Sequence, residues 1–180
     1  MNANFLPCLA FVLKWEGGKD DDPADPGGRT FEGIEQREYN AWCELKSLPK
    51  GDVWQCPQVV VTGIYRASYW NPYCDLLPAG LDLMFFDTAV NEGPAEAVIF
   101  LQAVLGVRPD GHFGVITGAA VKAITDVKTV VMQMSQARQA HYKALPFKNK
   151  RLKKFLRGWL NRDADCVEVA VKMITGDQHG

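Results

Sequence analysis

Apolar positions Phe5, Leu9, Val12 and Leu13 recur at spacings of three and four, so they share one helical face on which Glu16 is the last member. Gly17 and Gly18 end that helix. From Lys19 to Ile34 the density of Asp, Pro and Gly forbids a helix, whereas RTFEGI (29–34) has short-strand chemistry after the Gly27–Gly28 turn and predicts a small β-hairpin. Helical patterning resumes at about 35–46 and again after Pro57, through QVVVTGIYRASYW, with LPKGDVWQC (48–56) a loop between them. Segments 80–93 and 94–106 predict two further helices, each closed by glycine, the second opened by Pro94. The turn-rich connector VRPDGHFG then leads to helices at about 115–144 and 154–174. The pattern predicts a mainly α fold of α+β type, a helical bundle with one small β-hairpin near the N-terminus.

A chain of 180 residues removes roughly two thirds of its unfolded surface from water, so one compact unit over 1–180 is expected. Its 47% hydrophobic and 23% charged content is ordinary for a globular protein, and a formal charge of -1 excludes a bulk electrostatic partner. Charge is instead local: from Lys128 to Arg162 there are ten Lys or Arg residues and no Asp or Glu. Such a run offers either a solvated face or a surface for carboxylate- and phosphate-rich envelope polymers. It matches no helix-turn-helix, zinc-finger or RNA-binding signature, so no nucleic-acid partner is expected.

Cys8, Cys43, Cys56, Cys74 and Cys166 are odd in number and widely spaced, which reads as buried free thiols in a reducing compartment. His112, His141 and His179 lie far apart without H-E-x-x-H, so no metal, and no cofactor, is expected. A G-x-S-x-G elbow and a Cys–His nucleophile pair are missing too. FLPCLAFVL lacks a basic flank and a cleavage site, so it reads as part of the fold rather than an export signal. No run approaches the ~18 apolar residues of a membrane span, and no membrane insertion is expected.

The chemistry concentrates at Glu16. A carboxyl held against Leu9, Val12 and Leu13 at a helix C-terminus is disfavoured in its charged form by desolvation and by the macrodipole, which suits it to donate a proton. Cleavage of a glycosidic bond needs such an acid and a second, ionised carboxylate across the sugar. Asp25, in the polar loop before Gly27 and Gly28, supplies one. The alternative is a partly exposed helix-end glutamate beside a solvated or calcium-like acidic loop, although the EF-hand pattern is absent.

EGGKDDDPADPGGRTFEGI resembles the signature of glycoside hydrolase family 108, phage and prophage endolysins that cut the glycan of peptidoglycan. IYRASYWNPYCDLLPAGLDLMFFDTAVNEGPAEAVIFLQAVLGV is similar to the family's second block, with its Tyr–Trp pair and F-D-x-A-V-N-x-G segment. RPDGHFGVITGAAVKAI, RQAHY and RGWLNR resemble its peptidoglycan-binding half. Lys19 stands where the family usually has an aromatic residue. The resemblance implies a lysozyme-like fold, a catalytic half at 1–92, a binding half at 93–180, and Glu16 as catalytic acid. Glu16 and Asp25, with eight residues between them, also resemble the Glu, Asp, Thr triad of phage lysozymes; Thr30 follows Asp25 after four intervening residues where that triad has five.

Two further groups have two readings each. Tyr69, Trp70, Asn71 and Tyr73 form either a sugar platform or, for Trp70, part of the core. Asp87 and Asn91, one helical turn apart, either line the far wall of a cleft or make a buried hydrogen-bonding pair bracing Gly93. The expected activity is hydrolysis of the β-1,4 bond between N-acetylmuramic acid and N-acetylglucosamine by a monomeric N-acetylmuramidase. Its partners are peptidoglycan glycan strands. A non-catalytic peptidoglycan-binding protein and a lytic transglycosylase are the alternatives. A phage enzyme of this kind is expected to be made in the host cytoplasm without a signal peptide, released by a holin, and to act on the wall in the periplasm.

Overall fold

A computed structural model of the chain describes residues 3–21, 29–70 and 73–176. These divide into two compact units, Phe5–Ser68 and the remainder.

In the first unit α1 (Phe5–Glu16) buries Phe5, Cys8, Leu9, Phe11 and Val12, and Gly17 ends it at φ +80°. Three two-residue strands follow: β1 (Lys19–Asp20), β2 (Thr30–Phe31) and β3 (Ile34–Glu35). They pair antiparallel in the order β1-β2-β3, with Asp20 opposite Thr30 and Thr30 opposite Glu35. The expected hairpin is therefore one strand larger, because FEGI folds back on itself around a two-residue turn. Next come α2 (Gln36–Leu45), a 3-10 turn at Val53–Gln55, α3 (Gln58–Tyr65), and a π-helical turn at Arg66–Trp70. Gln36 organises the loop before α3, donating to the Gly51 carbonyl (2.8 Å) and accepting from the Val53 amide (2.9 Å).

The second unit is helical: α4 (Leu81–Glu92), α5 (Pro94–Val104), α6 (Val115–Lys122), α7 (Val127–Lys148) and α8 (Leu156–Thr175). Every residue from Leu81 to Ala89 is buried, Asp82, Asp87 and Thr88 included, as in a helix packed on all sides. The single helix expected over 115–144 is two. Asp126 accepts from the Thr129 amide (3.0 Å) and hydroxyl (2.6 Å), and that cap starts α7 afresh where α6 would have continued.

Charge is buried where α4, α7 and α8 meet. Asp87 on α4 accepts from Arg138 Nη2 and from Arg162 Nε, both at 2.8 Å. Arg138 also faces Asp163 at 3.4 Å, and Asp163 accepts from Ser135 (2.6 Å) and Gln139 (2.9 Å). Burial works against the Arg138 charge, but Asp87 first, then its other neighbours, hold that guanidinium above its ordinary pKa. All five cysteines are buried and free; burial raises Cys166 well above the ordinary thiol range and Cys56 to about 11.

Asp87→Ala strands two buried guanidinium groups, and breaking a buried pair costs about 3–5 kcal/mol. For a chain of this size that lowers the melting temperature by roughly 10 °C. Thermal denaturation by circular dichroism checks it, and a shift of only a degree or two would show that the network is not structural.

Candidate active site

Glu16, half-buried at the last residue of α1, lies against the turn joining β2 to β3. Phe31 pairs with Ile34, leaving Glu32 (φ +49°) and Gly33 (φ +75°) as a two-residue loop with both residues left-handed, the type I′ geometry. A Cβ added at Gly33 would come within 2.8 Å of Glu16 Oε2 and 2.7 Å of the Tyr65 hydroxyl oxygen. The glycine is thus what lets backbone approach both oxygens.

Glu32 is held in its strained conformation from three sides. Its amide donates to the Gly18 carbonyl (3.2 Å), its own carbonyl accepts from the Tyr65 hydroxyl (2.7 Å), and its carboxylate accepts from Gln58 at 3.0 Å. A non-glycine residue persists at positive φ only where its surroundings over-determine it. Gly18 belongs to the E-G-G motif, so motif and turn are fastened together.

Thr30 is half-buried on β2, the strand that leads into this turn. Its carbonyl accepts from the Trp54 indole (3.1 Å). Arg29 lies over the Trp54 ring at 4.5 Å and Lys19 at 5.7 Å, so the place where the family usually has an aromatic carries a cation that meets an aromatic from another loop. Arg29 also pairs with Asp21 (3.2 Å) and Asp52 (2.8 Å), which ties together the two ends of the acidic loop. Asp25 and Asn71 lie outside the described residues.

Three of the other expected site residues, Trp70, Asp87 and Asn91, have partners away from Glu16. Trp70 is fully buried, donating to Asp75 (2.6 Å) with its ring edge-on to Phe86, so it belongs to the core and offers no face to a sugar. Tyr69 is half-buried in the π-helical turn. Tyr73 stacks on Phe113 at 4.7 Å. Asp87 has no exposed surface and takes both arginines, so it braces helices and does not line a cleft. Asn91, half-buried, donates to the Tyr142 hydroxyl (2.6 Å) rather than supporting Gly93.

In the helical unit, Gln102 shapes the segment PDGHFG. Buried on α5, it accepts from the Gly111 amide and shares its own amide with Asp110, the His112 carbonyl and Thr117, each at 3.0 Å. The Gln102 hydrogen bond, then the His112 amide, hold the Asp110 carboxyl below its ordinary range. A groove of about 430 Å³ results, lined by Arg108, His112, Val115 and Ile116 among others. Among the described residues no cluster of His, Cys, Asp and Glu could hold a metal ion, and no helix is long and apolar enough to cross a membrane.

Gly33, Tyr65 and Trp54 were not singled out from sequence. Tyr65 and Trp54 reach the site from separate loops and helices and leave no local signal. Gly33 does leave one, a glycine second in a two-residue gap between short strands.

A carboxylic acid presented at a helix end beside a small sheet, in a mainly helical α+β chain, defines a lysozyme-like protein. Residues 9–93 match the family model Glycosyl hydrolase 108, and residues 96–164 match that of a Predicted Peptidoglycan domain. A solved structure of SagA from Brucella abortus is 35% identical, covering 96% of this chain and 97% of its own, with a TM-score of 0.79. A search of the curated proteins finds no match. The chain belongs to glycosyl hydrolase family 108. It is a glycoside hydrolase acting on peptidoglycan.

Gly17 and Gly33 together isolate the contact with Glu16. Both have positive φ, and alanine at either costs about 1–2 kcal/mol of backbone strain. Nothing lies within 4 Å of a Cβ at Gly17, whereas one at Gly33 strikes Glu16 and Tyr65. Gly33→Ala is therefore expected to lose far more wall-cleaving activity than Gly17→Ala at comparable melting temperature; equal activities would separate the turn from catalysis.

Proposed function

We propose that the chain is an N-acetylmuramidase of the endolysin type, cutting the β-1,4 bond between N-acetylmuramic acid and N-acetylglucosamine with Glu16 as general acid. The observation that carries this reading is the placing of Glu16: half-buried at the end of α1, its carboxylate is packed against a strained, over-determined turn, with the Tyr65 hydroxyl beside it. Immobilised acids of this kind protonate leaving oxygens efficiently because no reorganisation is needed at the moment of transfer. The family membership supports the same reading, since its glycosyl hydrolase segment contains the whole of this arrangement.

In this mechanism Glu16 donates its proton to the bridging oxygen as the bond breaks. Asp25, from the acidic loop between β1 and β2, orients a water on the opposite face of the ring, and the Thr30 hydroxyl helps hold that water. The Arg29 contacts to Asp21 and Asp52 support this role for the loop, because they fasten its base to the rest of the unit. Trp54, half-buried beside Thr30 with the Arg29 guanidinium over its ring, supplies the aromatic group near this site that fully buried Trp70 does not.

Glu16→Gln keeps shape and removes the proton, so cleavage of purified walls is expected to fall by two to four decades, the range of general acid catalysis, in a protein that still folds. Near-wild-type turbidity loss by that variant would end the assignment. Mass spectrometry of the released sugar ends checks the bond: reducing muramic acid ends are expected, whereas anhydro ends would indicate a transglycosylase and reducing glucosamine ends a glucosaminidase.

Stereochemistry checks the role of Asp25. A water-activating carboxylate stands roughly 6.5–9.5 Å from the acid and inverts the anomeric centre. Proton NMR of freshly released muramic acid ends is expected to show the α-anomer first; an initial β-anomer would mean a covalent intermediate instead.

A further inference from the structure

The junction of α7 and α8 carries Lys148, Lys150, Arg151, Lys153, Lys154 and Arg157, all exposed. None of them has a carboxylate partner among the described residues. Like charges held this close repel one another, so the cluster does not stabilise the fold by itself. Two aromatic rings stand among these cations. Phe147 is 91% exposed, and Phe155 is 47% exposed with the Lys154 ammonium 4.7 Å above its ring. Phe155 is braced by Trp159 at 5.9 Å, and Trp159 stacks on buried Tyr142, so the surface is built in advance rather than gathered on binding.

The chemistry of the patch selects among anionic partners. Selective sugar recognition pairs apolar rings with polar groups placed to fix the hydroxyls, acceptors among them. The one side-chain acceptor in this stretch, the Asn149 carboxamide oxygen, already accepts from the Arg151 amide at 3.1 Å. A polyanionic polymer uses the cations, and unless it carries rings to stack it gains little from exposed phenyl groups. A bilayer surface uses both: cations meet lipid phosphates while apolar rings enter the boundary between headgroups and acyl chains.

We infer that this junction is a docking surface for the anionic lipid headgroups of a bilayer, with Phe147 and Phe155 seated in the interface and the surrounding cations on the phosphates. The protein lies on the membrane and does not span it. The consequence is to hold the enzyme in the thin layer next to the membrane, where glycan strands are also found.

Co-sedimentation of the full chain with vesicles tests this without any glycan present, so it stands or falls separately from the role of Glu16. Vesicles of phosphatidylethanolamine containing phosphatidylglycerol are expected to retain the protein, and vesicles of phosphatidylcholine alone to leave it in solution. Replacing Lys150, Arg151, Lys153 and Lys154 together by Ser removes about fivefold per cation, on the order of two to three decades in all. Phe147→Ser, at a side chain too exposed to affect folding, is expected to weaken vesicle binding roughly tenfold and leave binding to purified peptidoglycan and to DNA unchanged. Equal retention by both kinds of vesicle, retention by neither, or vesicle binding indifferent to Phe147→Ser would overturn the inference. The last outcome would identify the patch as a general polyanion site.

Discussion

The helical unit depends on one carboxylate. Asp87 sits in the middle of α4, with no exposed surface, and takes a charged hydrogen bond from Arg138 on α7 and another from Arg162 on α8. Burying these charges is expensive, and the cost is offset only by geometry that satisfies several donors at once. Ser135, Gln139, Asp163 and Tyr142 supply the rest of that geometry. Apolar packing alone would let α4, α7 and α8 slide against one another. A charge with two fixed partners specifies one register, and from that register follow the positions of Tyr142 and Asn91.

The N-terminal unit rests on a smaller constraint of a different kind. A two-residue turn with both residues at positive φ is costly for Glu32, and hydrogen bonds with three partners, Gly18, Tyr65 and Gln58, hold it there. What the strain achieves is proximity: Gly33 presents bare backbone to Glu16 and Tyr65. The helix end, the sheet and α3 thereby converge on one carboxylate. A site that must aim a proton benefits from residues that have no freedom to relax.

Charge sign is distributed with the same economy. Of the basic residues between Lys128 and Arg162, Arg138 and Arg162 go inside and meet Asp87, while the lysines of that stretch remain outside. Guanidinium tolerates burial because its planar fork meets carboxylates through several bonds and is weakly hydrated; an ammonium is not so suited. The same stretch of chain therefore fastens a core and furnishes an exposed basic surface.

Sequence by itself determined the helices, because their signals are local. The spacing of Phe5, Leu9 and Val12, the Gly17 stop, the Pro94 start and the all-apolar run before Asp87 each act over a turn or two of helix. Glu16 was legible for the same reason, as a carboxyl placed last on an apolar stripe beside an E-G-G motif. The break at Asp126 escaped, since an Asp followed three residues later by Thr129 competes only weakly with continuing apolar periodicity until the packing of α7 decides it. Tertiary structure alone decided which polar residues go inside. Asp87 and Trp70 read equally well as cleft or core, because burial depends on partners 51 or 75 residues away in the one case and on Phe86 in the other. Tyr65 and Trp54 joined the site of Glu16 for that reason too: spatial neighbours brought together by folding leave no period, spacing or motif along the chain.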